Sequence, residues 1–338
     1  MKNKRILYIG NNLSKKGHTT TIMDTLGSLF TKEGCHVFKA SSNKNIFFRL
    51  MHMLFSTIYY SRKVDYVLID TYSTVNFWYT FFVSQTCRLL KLKYIPILHG
   101  GNLPKRLNSN PWVCDLIFKN AYKNVAPSNY LFSVFSEKYS KNLVSIPNVL
   151  EIENYKFTSR NFIQPKLLWV RSFSPIYNPK MAIQVLFELQ KVYPSAELLM
   201  VGPDRDNYIK EIKSLAKKLN VKVNFTGLLS KEEWISLSEN YNIFINTANF
   251  DNMPVSVLEA MALGLPVVST NVGGISFLLE DRKNALLVDK NDHKAMSSRI
   301  IELMNNINFT NYIIAEAQKN IKKYDWQKVK SQWFEVIQ

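Results

Sequence analysis

Twelve runs of five to seven residues, rich in Ile, Val, Leu and aromatic side chains, punctuate the chain. Six fall at 5–10, 36–40, 66–70, 94–100, 124–128 and 143–147; six more, after a polar connection over 151–165, fall at 166–171, 196–202, 221–227, 242–248, 266–271 and 285–289. Most are apolar at successive positions rather than at alternate ones, which predicts strands buried on both faces, and helical patterns fill most of the intervals. The pattern predicts two α/β domains with parallel, doubly wound sheets, over about 1–150 and 165–322. The final segment, about 323–338, is expected to be a helix that packs back on the first domain. In such sheets ligands gather at the carboxyl ends of the strands, and two facing units would make a substrate cleft between them.

The length of 338 residues agrees with two cores rather than one. No stretch reaches the roughly 20 consecutive apolar residues that a spanning helix needs: Arg49 and His52 interrupt one candidate, and Asn76, Ser84 and Gln85 another. The basic N-terminus leads straight into the first strand without a signal-peptide pattern, so a cytoplasmic protein is expected. Cys35, Cys87 and Cys114 have no metal-like spacing and cannot all pair, in keeping with a reducing compartment. Charge is uneven. Residues 1–150 hold 20 Lys and Arg against 6 Asp and Glu, a net of +14, whereas 151–338 carry +3. The first domain therefore either meets something anionic or displays a solvated lysine-rich surface. No nucleic-acid-binding motif accompanies the charge, and no nucleic-acid partner is expected.

The segment with the most chemistry follows the predicted strand at 242–248. It turns at Asp251, Asn252, Met253 and Pro254 and continues as a helix to about Leu263, closed by Gly264 and Pro266. The free amides around Met253, Pro254, Val255 and Ser256 would then offer the positive end of a helix dipole to a phosphate. Asp251 and Glu259, eight positions apart, match neither a metal pair nor a helix-face ion pair. Carboxylates are strong acceptors for sugar hydroxyls, and a reader of a nucleotide sugar needs one for the ribose and another for the sugar.

This stretch resembles the E-x7-E signature of retaining glycosyltransferases of family 4, which have the GT-B fold of two facing Rossmann-like domains. The likeness continues in order through Arg171, Val201-Gly202, Phe225-Thr-Gly227, Gly264-Leu-Pro-Val-Val268 and Gly273-Gly274, and upstream through Ala126-Pro-Ser128 and Ile146-Pro-Asn148. The resemblance implies a retaining hexosyltransferase whose N-terminal domain binds the acceptor. Glu259 would bond the ribose and Asp251 a hydroxyl of the donor sugar, while Asn252, Met253, Pro254, Val255 and Ser256, with Gly227 and Gly17, would bind the donor, most naturally a UDP-sugar. Arg171 and Lys180 would stabilise the leaving diphosphate in place of a metal, so no cofactor and no metal are expected. His99, in His99-Gly-Gly101 at the end of a predicted strand, would contact the donor sugar. The chain departs from the family in having Asp251 where the first Glu stands, one methylene shorter. Val170 replaces a Gly, and Tyr177 and Asn178 occupy the usual neighbourhood of the lysine, with Lys180 just beyond.

Gly10 to Thr21 forms a polar loop without a G-x-G-x-x-G fingerprint, so a dinucleotide cofactor is unsupported. Asp204 and Asp206 spell a D-x-D metal motif, but within the second strand–helix unit of a tandem α/β chain, where that motif has no expected role. The stretch 46–60, apolar and aromatic with Lys44, Arg49, Arg62 and Lys63 in or beside it, is read either as an element lying in a bilayer interface or as a core helix under the first sheet. The first choice, with the basic charge, points to a lipid-linked glycan acceptor at an anionic membrane, in cell-surface polysaccharide synthesis. The alternatives to transfer are a nucleotide-sugar epimerase of the same plan and an inactive subunit that binds the nucleotide sugar.

Overall fold

In the computed structural model, which describes residues 3–11, 21–43, 45–205 and 207–338, the chain divides into two units: Met1–Val149 with Trp326–Gln338, and Leu150–Asp325. The strands of the first unit are β1 (Arg5–Ile9), β2 (His36–Ala40), β3 (Tyr66–Thr71), β4 (Tyr94–Leu98), β5 (Asn124–Ala126) and β6 (Leu143–Ser145). Its helices are α1 (Ile22–Lys32), α2 (Ile46–Tyr59), α3 (Phe77–Leu89), α4 (Leu103–Ser109), α5 (Pro111–Phe118), α6 (Asn129–Tyr139) and, at the end of the chain, α14 (Trp326–Val336). In the second unit the strands are β7 (Lys166–Val170), β8 (Glu197–Val201), β9 (Val223–Gly227), β10 (Ile243–Asn246), β11 (Val267–Thr270) and β12 (Leu286–Val288). The helices there are α7 (Pro179–Gln190), α8 (Ile209–Lys218), α9 (Lys231–Ser238), α10 (Val255–Ala262), α11 (Ile275–Leu278), α12 (His293–Asn305) and α13 (Ile307–Ile321).

Both sheets are parallel, with orders β2-β1-β3-β4-β5-β6 and β12-β11-β10-β7-β8-β9. Continuous apolar runs fill them because each strand serves two cores. Ile6 and Tyr8 of β1 pack on one side and Leu7 and Ile9 on the other. In the second unit Leu167, Trp169, Ile243 and Ile245 face one core, while Leu168 and Phe244 face the opposite one. The last helix is held in the first unit by Trp326 and Trp333, whose rings stand edge-on to Phe30 at 5.9 and 5.5 Å. Trp326 Nε1 also donates to Glu33 at 3.1 Å.

The strand order of the second sheet fixes where its site forms. The chain runs from β7 through β8 to β9 on one side, then returns to pair β10 against β7, Ile243 beside Leu167 and Phe244 beside Leu168. The loops that leave β7 and β10 therefore diverge at a topological switch point, the place where open α/β sheets bind ligands.

Candidate functional site

Arg171 follows β7 and Asp251 follows β10, so the switch point brings them together across 80 residues: Nη2 of Arg171 donates to Oδ2 of Asp251. Oδ1 of the same carboxylate accepts the Asn252 amide at 2.8 Å. Burial raises the Asp251 pKa above the ordinary carboxylate value, while the Arg171 guanidinium works in the opposite direction. That guanidinium lies 4.9 Å from the centre of the Tyr177 ring. Its Nε is buried with no hydrogen-bond partner.

The two loops are stitched to one another. Trp169 Nε1 donates to Thr247 Oγ1 at 2.9 Å, Thr247 donates to the Tyr177 carbonyl at 2.9 Å, and the Asn249 amide reaches the Ile176 carbonyl at 2.8 Å. Close backbone approaches lock the turn further. The Gly274 amide donates to the Asp251 carbonyl at 2.9 Å, and a Cβ on Gly274 would stand 2.0 Å from the Asn252 carbonyl oxygen. A Cβ on Gly202, after β8, would meet the Arg171 carbonyl oxygen at 1.8 Å. Both glycines are needed because another backbone occupies the space of a side chain.

Beyond the turn, Pro254 takes the N-cap position of α10 and no side chain caps the helix. The Val257 amide reaches the Pro254 carbonyl at 3.2 Å, and the amides of Val255 and Ser256 before it depend on water or a ligand for acceptors, at the positive end of the dipole. Ser256, in that turn, has a buried hydroxyl with no partner. Asn252 and Met253 are buried, Met253 within the core, so Met253 is available to a ligand only through its backbone.

Glu259 sits five residues into α10, its side chain only 8% exposed. Tyr155 donates its hydroxyl to Oε1 at 2.8 Å, and Lys231 Nζ lies 3.0 Å from the same oxygen. Burial and the neighbouring carboxylate push the Tyr155 pKa well up, so this hydroxyl stays a donor. Both contacts converge on Oε1, and among the described residues Oε2 receives no hydrogen bond, leaving a carboxylate oxygen for a diol.

Sequence reasoning missed Tyr155 and Lys231. Tyr155 is one of three aromatic residues, with Phe157 and Phe162, in a segment read as a polar connection. Lys231 is the first residue of α9, and Ser230-Lys-Glu-Glu233 spells a capping box: the Ser230 hydroxyl accepts the Glu233 amide at 3.2 Å, and Glu233 accepts the Ser230 amide at 2.7 Å. That spacing would have placed Lys231 at the carboxyl end of β9.

Lys180 does not join the cluster. Its ammonium pairs with Glu211 at 2.6 Å, an attachment that raises its pKa, and it lies 5.7 Å from the Tyr208 ring centre. Asn178, just before α7, adopts a left-handed conformation and starts that helix, turning Lys180 towards α8. Gly227 ends β9 and accepts the Gly202 amide at 2.8 Å; no atom lies within 4 Å of where its Cβ would be. Asp204 accepts the Ile209 amide at 3.0 Å at the start of α8, a local structural task, while Asp206 and Gly17 lie outside the described residues.

In the first unit, His99 follows β4 and its Nε2 lies 2.9 Å from Oδ1 of Asp70, to which Tyr8 also donates at 3.0 Å. Burial, then Asp70, drives the Tyr8 pKa upward. Oδ2 of Asp70 is buried without a partner.

Residues 153–320 match the family model described as "Glycosyl transferases group 1". A relative from Haemophilus influenzae, described as an uncharacterized glycosyltransferase, is 23% identical over 99% of this chain and 100% of its own length. Among solved structures, sucrose-phosphate synthase from Thermosynechococcus elongatus superposes with a TM-score of 0.84 at 16% identity, over 98% of each chain. Anabaena HepE, solved in complex with UDP and glucose, superposes with a TM-score of 0.80 at 16% identity over 99% of each chain. These full-length likenesses establish the fold as GT-B.

Proposed function

We propose that this chain, a glycosyltransferase with a C-terminal unit that matches the group 1 model, transfers a hexosyl group from a UDP-sugar to a hydroxyl of a glycan acceptor with retention of anomeric configuration. The observation that carries the reading is a pair of buried groups without partners around one turn, the Ser256 hydroxyl and the Nε of Arg171, beside the uncapped start of α10 and the Glu259 carboxylate, whose contacts with Tyr155 and Lys231 fall on Oε1. Buried polar groups without partners are rare in folded proteins, and a bound ligand is one physical reason for keeping them.

In this reading Glu259 accepts the ribose hydroxyls through Oε2, held by Tyr155 and Lys231. The diphosphate lies at the α10 amides with Arg171, and Asp251 accepts a hydroxyl of the donor sugar through the oxygens that Arg171 and Asn252 orient. As the bond from the anomeric carbon to the diphosphate breaks, negative charge grows on the departing oxygen, where Arg171 and the helix amides already point positive potential. The acceptor hydroxyl attacks from the side the diphosphate leaves, and its proton passes to the departing phosphate oxygen. Lys180 is taken up by Glu211, so the cationic role falls to Arg171. The acceptor is a lipid-linked glycan, a reading supported by the +14 charge of residues 1–150 and by the outward apolar face of α2 described below.

The test is release of UDP from a panel of UDP-sugars, with and without glycan acceptors, in EDTA, followed by NMR of the new glycosidic bond. UDP release that depends on acceptor, persists in EDTA and yields the donor's own anomeric configuration agrees with the reading. Interconversion of the sugar without acceptor, inversion, or loss of activity that Mg²⁺ restores would overturn it.

A further inference from the structure

α2 is apolar on two sides: Met53 is buried in the core with Leu50 and Leu54 packed against it, and a second set of apolar side chains faces outward. Among its residues the buried ones include Arg49, Ser56 and Thr57, and two of these bond within the protein: Arg49 Nε donates to the Asn43 carbonyl at 2.6 Å and Nη1 to Asn11 Oδ1 at 3.0 Å, while Thr57 donates to the Met53 carbonyl at 2.8 Å. The outward side holds Phe47, Phe48, Met51, Phe55, Ile58 and Tyr59, with the three Phe rings 64%, 64% and 67% exposed. At about 100° per residue these six positions share an arc of roughly 120°, a continuous apolar stripe. α3 packs along α2, with the Tyr79 hydroxyl donating to the Ile46 carbonyl at 3.2 Å, and it adds exposed Trp78, Phe82 and Leu89 at helical spacing. A surface helix ordinarily buries its apolar stripe, so this arrangement is made for a partner.

Charge selects which partner. Residues 34–114 hold ten Lys and Arg and only two acidic residues, Asp65 and Asp70. Arg5 bonds Asp65, and Asp70 is buried beneath Tyr8 and His99, so neither offers negative charge to the face. Arg62 and Lys63 are exposed just past the end of α2, with Lys63 Nζ 3.8 Å from the Tyr59 ring centre at the stripe's margin. A second copy of the same face would bring like charges together. An anionic bilayer supplies both an apolar interior for the rings and phosphate charge for the basic margin.

We propose that the outward face of α2 docks on an anionic bilayer surface, with Phe47, Phe48 and Phe55 inserted at the headgroup boundary and Arg62 and Lys63 among the phosphates. The inference gives the lipid-linked acceptor of the preceding section a place to be met, but it rests on this face alone. It is tested by co-sedimentation of the full chain with vesicles of phosphatidylcholine, alone or mixed with about one third phosphatidylglycerol. No glycan or nucleotide is present, so failure here and failure of the transfer reading are separate results.

Binding to the anionic vesicles is expected at low salt, and it should weaken as the Debye length falls from about 10 Å at 0.1 M towards 3 Å at 1 M. Combined Phe47→Ser, Phe48→Ser and Phe55→Ser should lower binding at least about tenfold at both salt concentrations, with UDP affinity unchanged. Arg62→Gln with Lys63→Gln, which touches no core residue, should lower low-salt binding about 25-fold, near fivefold per basic residue. Absence of binding to anionic vesicles at low salt overturns the proposal, as does wild-type binding by either variant. A lipid-free dimer that the triple Phe variant converts to monomer also overturns it, by assigning the face to a second copy.

Discussion

Lys231, the first residue of α9, and Glu259, in the second turn of α10, form an ion pair with Nζ 3.0 Å from Oε1. A cation at a helix start opposes the dipole of its own helix, so α9 gains nothing from this lysine. Its effect is on Glu259. It offsets a buried carboxylate beside which, in the proposed reading, a diphosphate must lie.

Replacing Lys231 by Ala should therefore weaken UDP binding about tenfold, roughly 1.4 kcal/mol, because the anion would then approach an uncompensated Glu259. Raising the salt should narrow the difference between the two proteins. Titration calorimetry at two ionic strengths reads both effects, and a variant with wild-type affinity at low salt removes Lys231 from the site.

Arg171→Ala should unfold more easily at neutral pH, by about 3 kcal/mol, since it leaves a mostly buried carboxylate without its cation. The sign with pH follows from Asp251. Its folded pKa already stands above the ordinary value through burial, and loss of Arg171 removes the opposing influence, raising it further. A carboxyl with a raised folded pKa destabilises the fold above its unfolded pKa, and the penalty fades as pH falls and the group takes up a proton. The stability deficit of Arg171→Ala should shrink between pH 7 and pH 5, and Asp251→Asn added to it should recover stability at pH 7. Denaturant melts across that range check this, with a pH-independent deficit as the contrary result.

Gly274→Ala places a methyl group 2.0 Å from the Asn252 carbonyl oxygen, so the turn carrying Asp251 and Asn252 must move. A loss of at least about 1 kcal/mol in stability is expected from the backbone conflict. Transfer activity should fall more than stability at temperatures where the variant is folded. Thermal melts paired with steady-state kinetics separate the two, and a variant with wild-type turnover shows that the turn need not be held where it is.

The sheets were largely legible in the residues because a doubly covered parallel strand leaves an unbroken apolar run. All twelve runs contain a strand, and the ends differ in an informative way. The run at 166–171 was read through Arg171, but β7 stops at Val170; the run at 196–202 was read through Gly202, but β8 stops at Val201. In both cases the chain leaves the sheet where it turns into the site. The pairing of Arg171 with Asp251 was not legible as a contact, since it depends on β10 returning to the side of β7. The partners of Glu259 were hidden for another reason: Tyr155 and Lys231 lie far from it in sequence and carry no motif beyond a capping box. The stretch 46–60 was legible as a helix, yet which side faced out was not, because Arg49 looks like a surface residue until Asn11 and Asn43 are seen to bind it.

The central claim, that the turn and helix from Asp251 to Ala262 read a nucleotide diphosphate through Glu259, is tested most directly by titration calorimetry of UDP. The folded wild-type chain should bind UDP. Glu259→Ala should bind it roughly 10- to 150-fold more weakly, the loss of about 1.5 to 3 kcal/mol of charge-assisted hydrogen bonding. Glu259→Gln, which keeps an acceptor for Tyr155, should also be weakened while melting close to wild type. Equal UDP affinity in wild type and a folded Glu259 variant, or no UDP binding by the wild-type chain, would contradict the claim.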